Sequence, residues 1–224
     1  MTARPAPLFD VEPLRTLDRS TLGVLGRDGP VVVLGARQPI HDLDVTALER
    51  DGIAICRRHG GGGAVLLRPA DRWVELWLRA APGARDHDVR SSAYLVGGWW
   101  RAALAVHGVD ATAHRGAVLG ADQGSVACFA GLGPGELTLG DQKILGISQW
   151  RVREGALVSS VLAVEPPGDL GRYLSSASSV PRLSGAASVL SRAPGLSVDA
   201  VVATFAEIAS SSEASVEVDR TPFS

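Results

Sequence analysis

A chemical reading of this chain starts from its lysine. Of 22 Lys and Arg side chains, only Lys143 is a lysine. It lies in Gln142-Lys143-Ile144-Leu145-Gly146-Ile147-Ser148-Gln149, which follows Gly140-Asp141. A compact ammonium among apolar neighbours can hold a carboxylate, carbonyl or phosphate oxygen, or neutralise a thiolate. Just upstream stands Cys128, in Val126-Ala127-Cys128-Phe129-Ala130. A cysteine is most often a small buried hydrophobe, but a nearby ammonium raises its thiolate fraction and makes it a candidate nucleophile. The third constellation is Arg57-Arg58-His59 followed by four glycines, Gly60 to Gly63. Such a run brings backbone amides close to an anionic ligand, and the neighbouring arginines would reinforce that. No Lys-Ser/Thr follows it, and its spacing matches neither a phosphate loop nor a dinucleotide fingerprint. Cys56 and His59 have the spacing of half a zinc site, but no second pair completes one. Cys56 itself falls in an apolar run and reads as core.

Short strands and a few helices must position these groups. Val31-Val32-Val33-Leu34, Ile53-Ala54-Ile55-Cys56 and Ala64-Val65-Leu66-Leu67 are apolar runs around the glycines. In Trp73 to Arg79 the alternation puts Val74, Leu76 and Leu78 on one face, as in a half-buried strand. From about Asp88 to His107, apolar residues at steps of three and four predict a helix closed at Gly108. Residues 136–149 read as a hairpin turning at Gly140-Asp141, and Ala156 to Val164 as a further strand. A short helix is expected near 168–174 and a longer one at 197–210, capped by Ser197. The stretch at 175–180 reads as loop, and the tail from Ser210 as a frayed end. The fold class is α+β, a single domain with a mixed, largely antiparallel sheet flanked by helices.

Composition narrows the function. The formal net charge of −2 and the lack of a basic stripe argue against nucleic acid as a partner. No apolar run reaches the roughly 18–20 residues that cross a bilayer, and the start lacks a signal-peptide core, so no membrane is expected and a cytoplasmic location is. Two cysteines, Cys56 and Cys128, argue against a disulfide framework in a chain of this length.

These motifs resemble those of one family. Arg57-Arg58-His59-Gly60-Gly61-Gly62-Gly63-Ala64-Val65 is similar to the RRxSGGGAV segment of lipoate–protein ligases and their octanoyl- and lipoyltransferase relatives. Val33-Leu34-Gly35-Ala36-Arg37-Gln38 resembles the LGRxQ strand, and Gln142 to Gln149 the GKKxxGxxQ segment with its central lysine. The motif-bearing part spans about residues 30–165 of a domain covering 1–224, with no room for the additional C-terminal domain of bacterial ATP-dependent ligases. Gly60 departs from the usual Ser, Thr or Asn, and Leu66-Leu67 from the usual Tyr-His.

The resemblance implies the catalytic-domain fold of biotin and lipoate ligases. It also implies attachment of an octanoyl or lipoyl group to a lysine of a lipoyl carrier domain, in 2-oxoacid dehydrogenase complexes or the glycine cleavage H protein. Arg58, Gly61, Gly62, Gly63, Ala64, Gly146, Ser148 and Gln149 would then bind substrate, with Lys143 and Cys128 catalytic and no metal ligand. Cys128 stands where cysteine-dependent transferases of this superfamily carry their nucleophile, and would form a thioester. In the alternative, an ATP-dependent ligase, ATP and Mg²⁺ would be required and Cys128 would only pack. A third reading is a non-catalytic binder of a lipoyl domain or acyl ligand.

Overall fold

The computed structural model describes residues 6–7, 10–26, 28–80, 89–120, 126–164, 167–175, 189–212 and 216–219. Two sheets share the site between them. The larger holds β2 (Ser20–Leu25), β6 (Arg72–Arg79), β7 (Thr112–Ala113), β8 (Leu137–Leu139), β9 (Gln142–Val152), β10 (Gly155–Leu162) and β11 (Val216–Asp219), in the order β11-β2-β6-β10-β9-β8-β7. Every pairing in it is antiparallel except β11 with β2. The smaller sheet holds β1 (Ala6–Pro7), β3 (Val31–Leu34), β4 (Ala54–Arg57) and β5 (Val65–Leu67), in the order β1-β4-β3-β5. The helices are α1 (Glu12–Arg15), α2 (Val45–Arg50), α3 (Val89–Val106), α4 (Val189–Arg192) and α5 (Val198–Ser212).

The long helices form where the spacing predicts them. Val96, Trp99, Trp100, Ala103 and Leu104 are buried on α3 and meet Val201, Val202 and Phe205 of α5. Trp100 stacks on Phe205 at 4.3 Å and donates its indole N–H to Ser160 Oγ at 2.9 Å. Gly108, at φ +77°, stops α3, and the Val109 amide reaches back to the Leu104 carbonyl. Ser197 Oγ caps α5 by accepting from the Ala200 amide. The hairpin of β8 and β9 turns at Gly140, φ +61°.

Three expectations change. The strands around the glycine run do not join the larger sheet, because β4 runs parallel to β3 and β5 pairs on the other edge of β3. The crowded strands therefore build a separate sheet with parallel pairs. β6 is buried along most of its length rather than half-buried, since one sheet face meets α3 and α5 and the other meets the small sheet. The expected tail instead forms β11, parallel to β2. The short helix expected near 168–174 forms, as a 3₁₀ helix over Pro167–Tyr173. The predicted start of the long helix at Asp88, and most of the stretch at 175–180, lie outside the described residues.

Candidate active site

Backbone contacts bring the glycine loop and Cys128 together. The Ala64 amide donates to the Val126 carbonyl and the Cys128 amide to the Ala64 carbonyl, each at 2.8 Å. A Cβ on Gly63 would lie 2.5 Å from the Ala127 nitrogen, so only glycine permits this approach. Gly62, at φ +94°, turns the loop in a conformation that other residues avoid. Gln38, from the LGRxQ-like segment, donates to the Val126 carbonyl at 2.9 Å and so anchors the cysteine segment from the far side.

Both arginines of the motif stiffen the loops. Arg58 is buried and donates to the carbonyls of Gly61, Gly63 and Val33 at 2.7, 2.8 and 3.3 Å. Arg57 donates to the carbonyls of Gly35 and Gln38 at 2.6 and 2.7 Å. Burial lowers the Arg58 pKa, opposed by the charges of Cys128, Glu75 and Glu136. These guanidinium contacts are to protein oxygens, and Arg58 lies behind the glycine loop.

Lys143 is caged. Its ammonium pairs with Glu136 Oε2 at 2.6 Å and donates to the carbonyls of Cys128 and Gly131 at 2.8 and 2.9 Å. It also sits 5.2 Å from the centre of the Phe129 ring. The side chains of Lys143 and Glu136 are only 4% and 6% exposed. Glu136 is in turn fixed by the amides of Gly133 and Ile147, at 2.6 and 2.9 Å. It was not among the residues singled out from the sequence, where it reads as the lead-in to a strand. The hairpin register was the available signal: β8 and β9 fold back on each other, which brings position 136 alongside 143 and 147.

A cavity of about 420 Å³ opens over these groups. Gly61, Gly62, Gly63, Cys128, Glu136, Lys143, Ser148 and Gln149 line it, with Val89, Ala93, Val118, Leu132 and Ile147 as apolar wall. Behind it a recess of about 10 Å³ is lined by Arg58, Trp73, Cys128, Gly146, Ser148 and Ser159. Cys128 and Ser148 therefore border both spaces. A Cβ on Gly146 would lie 3.2 Å from Cys128 Sγ, so glycine there leaves room for the thiol. Gln149 ties β9 to α3 by donating to the Val89 carbonyl at 2.8 Å. Ala64 is buried behind the loop, and Cys56 is core. Among the described residues no group of three or more His, Cys, Asp or Glu could hold a metal ion.

A sequence model of the lipoyl protein ligase A/B catalytic domain matches residues 14–210. The chain belongs to this family. Its fold is that of lipoate–protein ligases. A lipoate–protein ligase A bound with ATP is 19% identical with a TM-score of 0.73, covering 92% of this chain and 77% of that one. A putative lipoate protein ligase from T. acidophilum with bound lipoic acid is also 19% identical at a TM-score of 0.73, covering 96% and 82%. A chain from a structural analysis of a bi-partite lipoate protein ligase and its E2 lipoyl domain from Thermoplasma acidophilum is 17% identical at a TM-score of 0.69, covering 92% and 76%. No curated protein sequence matches the chain. No helix among the described residues is long and apolar enough to cross a membrane.

Proposed function

We propose that this family member transfers an octanoyl or lipoyl group to the lysine of a lipoyl carrier domain through a thioester on Cys128. The observation that carries this reading is the place of Cys128. It borders both cavity and recess, its carbonyl is held by Lys143, and Gly146 leaves its sulfur uncrowded. The apolar wall suits an alkyl chain, each buried methylene of which contributes about 0.8 kcal/mol. The Cys128 thiolate attacks the acyl carbonyl, the donor leaves, and the acceptor amine resolves the thioester. Lys143 fixes the nucleophile's backbone through the Cys128 carbonyl and, paired with Glu136, holds the cavity wall beside it. Gly61, Gly62, Gly63, Ser148 and Gln149 border the acyl group, and Arg58 and Ala64 hold the loop that does so.

An ATP-dependent ligase is the second reading, favoured by the similar ligase solved with ATP. Arg57, Arg58 and Lys143 hold protein oxygens, and Arg90 lines the cavity beside them. The similar bi-partite ligase, described together with its E2 lipoyl domain, supports a lipoyl domain as acceptor, and the H protein offers the same chemistry. Incubation with an octanoylated carrier should add a hydroxylamine-sensitive octanoyl mass to Cys128, and Cys128→Ala should lose transfer by about a thousandfold or more. Full transfer by Cys128→Ala would sink the thioester mechanism, and lipoate-dependent release of pyrophosphate from ATP would support the ligase instead.

A further inference from the structure

The group acylated in this reaction is a lysine, and the chain holds one of its own beside the thiol that would carry the acyl group. Lys143 is the sole lysine of the 224 residues. Its nitrogen lies 2.8 Å from the carbonyl oxygen of Cys128, and both residues line the same cavity. A free amine so near a thioester would capture the acyl group and leave an inert amide on the enzyme. Something must withhold its lone pair.

The cage around Lys143 does so. Its ammonium gives hydrogens to Glu136 Oε2 and to the carbonyls of Cys128 and Gly131, at 2.6, 2.8 and 2.9 Å. Three donors meet three acceptors, and an ammonium bound in this way has no electron pair to offer. Only one of the three acceptors is charged, and Glu136 is itself fixed by the amides of Gly133 and Ile147. The Phe129 ring, 5.2 Å away, also favours the cation. Without the carboxylate, a buried ammonium would be left with no counter-charge, which burial strongly disfavours.

We propose that Glu136 is a positioning residue that keeps Lys143 an ammonium, so that the acyl group on Cys128 passes to the carrier's lysine and not to the enzyme's own. The purpose of the cage rests on the thioester reading; the cage itself does not. In transfer to the carrier, the incoming amine attacks the thioester carbon. The carbon–nitrogen bond forms, the carbon–sulfur bond breaks, and an amine proton goes to the Cys128 sulfur. With a neutral residue at position 136, Lys143 loses one proton to solvent and its own nitrogen attacks the same carbon. The thiol is then regenerated beside an amide on Lys143.

The surrounding charges do not duplicate this role. Among the described residues Glu136 is the one acid paired with Lys143. Glu75, in the middle of β6, is 4% exposed and accepts from Trp73 Nε1 at 2.7 Å and from Ser159 Oγ at 2.6 Å. Burial pushes its carboxyl up to about 7, against the lowering effects of Ser159, Trp73 and the Arg58 charge, so near neutrality it carries only part of a charge. Arg58 in turn feels the charges of Cys128, Glu75 and Glu136. Removing Glu136 therefore leaves two cations short of negative charge, and of the two it is the lysine that can shed a proton.

Peptide mass spectrometry before and after hydroxylamine reads the outcome, because thioesters are cleaved and amides survive. Given an octanoyl thioester donor and no carrier, the wild type should hold the label on Cys128 alone. Glu136→Gln should pass it to Lys143 as a hydroxylamine-resistant amide. Octanoyl N-hydroxysuccinimide ester, applied in a Cys128→Ala background, tests the cage without any thioester. Lys143 acylation, measured against the chain's α-amine, should rise by about tenfold or more in Glu136→Gln. Leu76→Ala, which weakens the core without touching the pair, should leave Lys143 as unreactive as in the wild type, with thermal melting confirming that each variant is folded. Lys143 acylation at equal rates in the wild type and Glu136→Gln, or an equal rise in Leu76→Ala, would overturn the proposal. A rise confined to Glu136→Gln, with no thioester formed by the wild type, would instead sink the transferase reading and leave the cage standing.

Discussion

Both faces of the central strands are buried and apolar in the main, but only one of them also holds a charged cluster. Towards α3 and α5, β6 and β10 present Val74, Leu76, Leu78, Val158 and Leu162, and the polar exception, Ser160, is satisfied by Trp100. Towards the small sheet, β6 and its neighbours present Trp73, Glu75, Ser159 and Ser148, with Arg58 opposite. Burying polar groups is unfavourable unless their partners are supplied, and one apolar face is enough to make a core. The polar cluster, set among Trp73, Phe129 and Val161, is costly to bury, and the apolar packing on both faces offsets that cost.

That contrast can be broken experimentally. Lys143→Arg should have the largest effect, a loss of acyl transfer of about a hundredfold or more in steady-state assays. A planar fork cannot replace a compact ammonium caged by Glu136 and two carbonyls, and net charge is unchanged. Normal transfer by this variant would remove Lys143 from the site. Next, Leu76→Ala on the helical face should cost about 2–5 kcal/mol in chemical denaturation while the folded fraction keeps its specific activity. A matching fall in kcat would show that the faces are not independent. Smallest is a pH effect. The folded-state pKa of Glu75 is raised above its ordinary value, so the folded protein binds this proton more tightly than the unfolded chain. Stability is then fully present below about pH 4.5 and falls as pH rises towards about 7. The loss is on the order of 3 kcal/mol, and Glu75→Gln should flatten this part of the stability profile. An unchanged slope in the variant would mean that another group titrates there.

Local patterns made much of the fold legible. The helical spacing of α3, its stop at Gly108 and the hairpin at Gly140 each depend on neighbours within a few residues. The glycine loop, Cys128 and Lys143 were visible for the same reason, and the structure brings them together around one cavity. What stayed hidden depends on distant pairing. Glu75 alternates out of the apolar face of β6, which reads as a solvent position until a second sheet covers it. That sheet joins β4 to β3 in parallel, and no periodicity in either strand announces it. Glu136 needed the hairpin's register, not merely its existence. β11 pairs with a strand near the other end of the chain, which local pattern cannot reveal.

The meeting of Gly60 with β9 has a consequence for anyone altering this loop. A Cβ at position 60 would lie 2.7 Å from Ser148 Oγ and 3.0 Å from the Gln149 amide nitrogen. The two positions share one volume, so the space for a side chain is allotted to the strand rather than to the loop. A library that varies position 60 alone will return little besides glycine. One that varies 60 and 148 together opens a second family of solutions, in which the hydroxyl crosses from strand to loop.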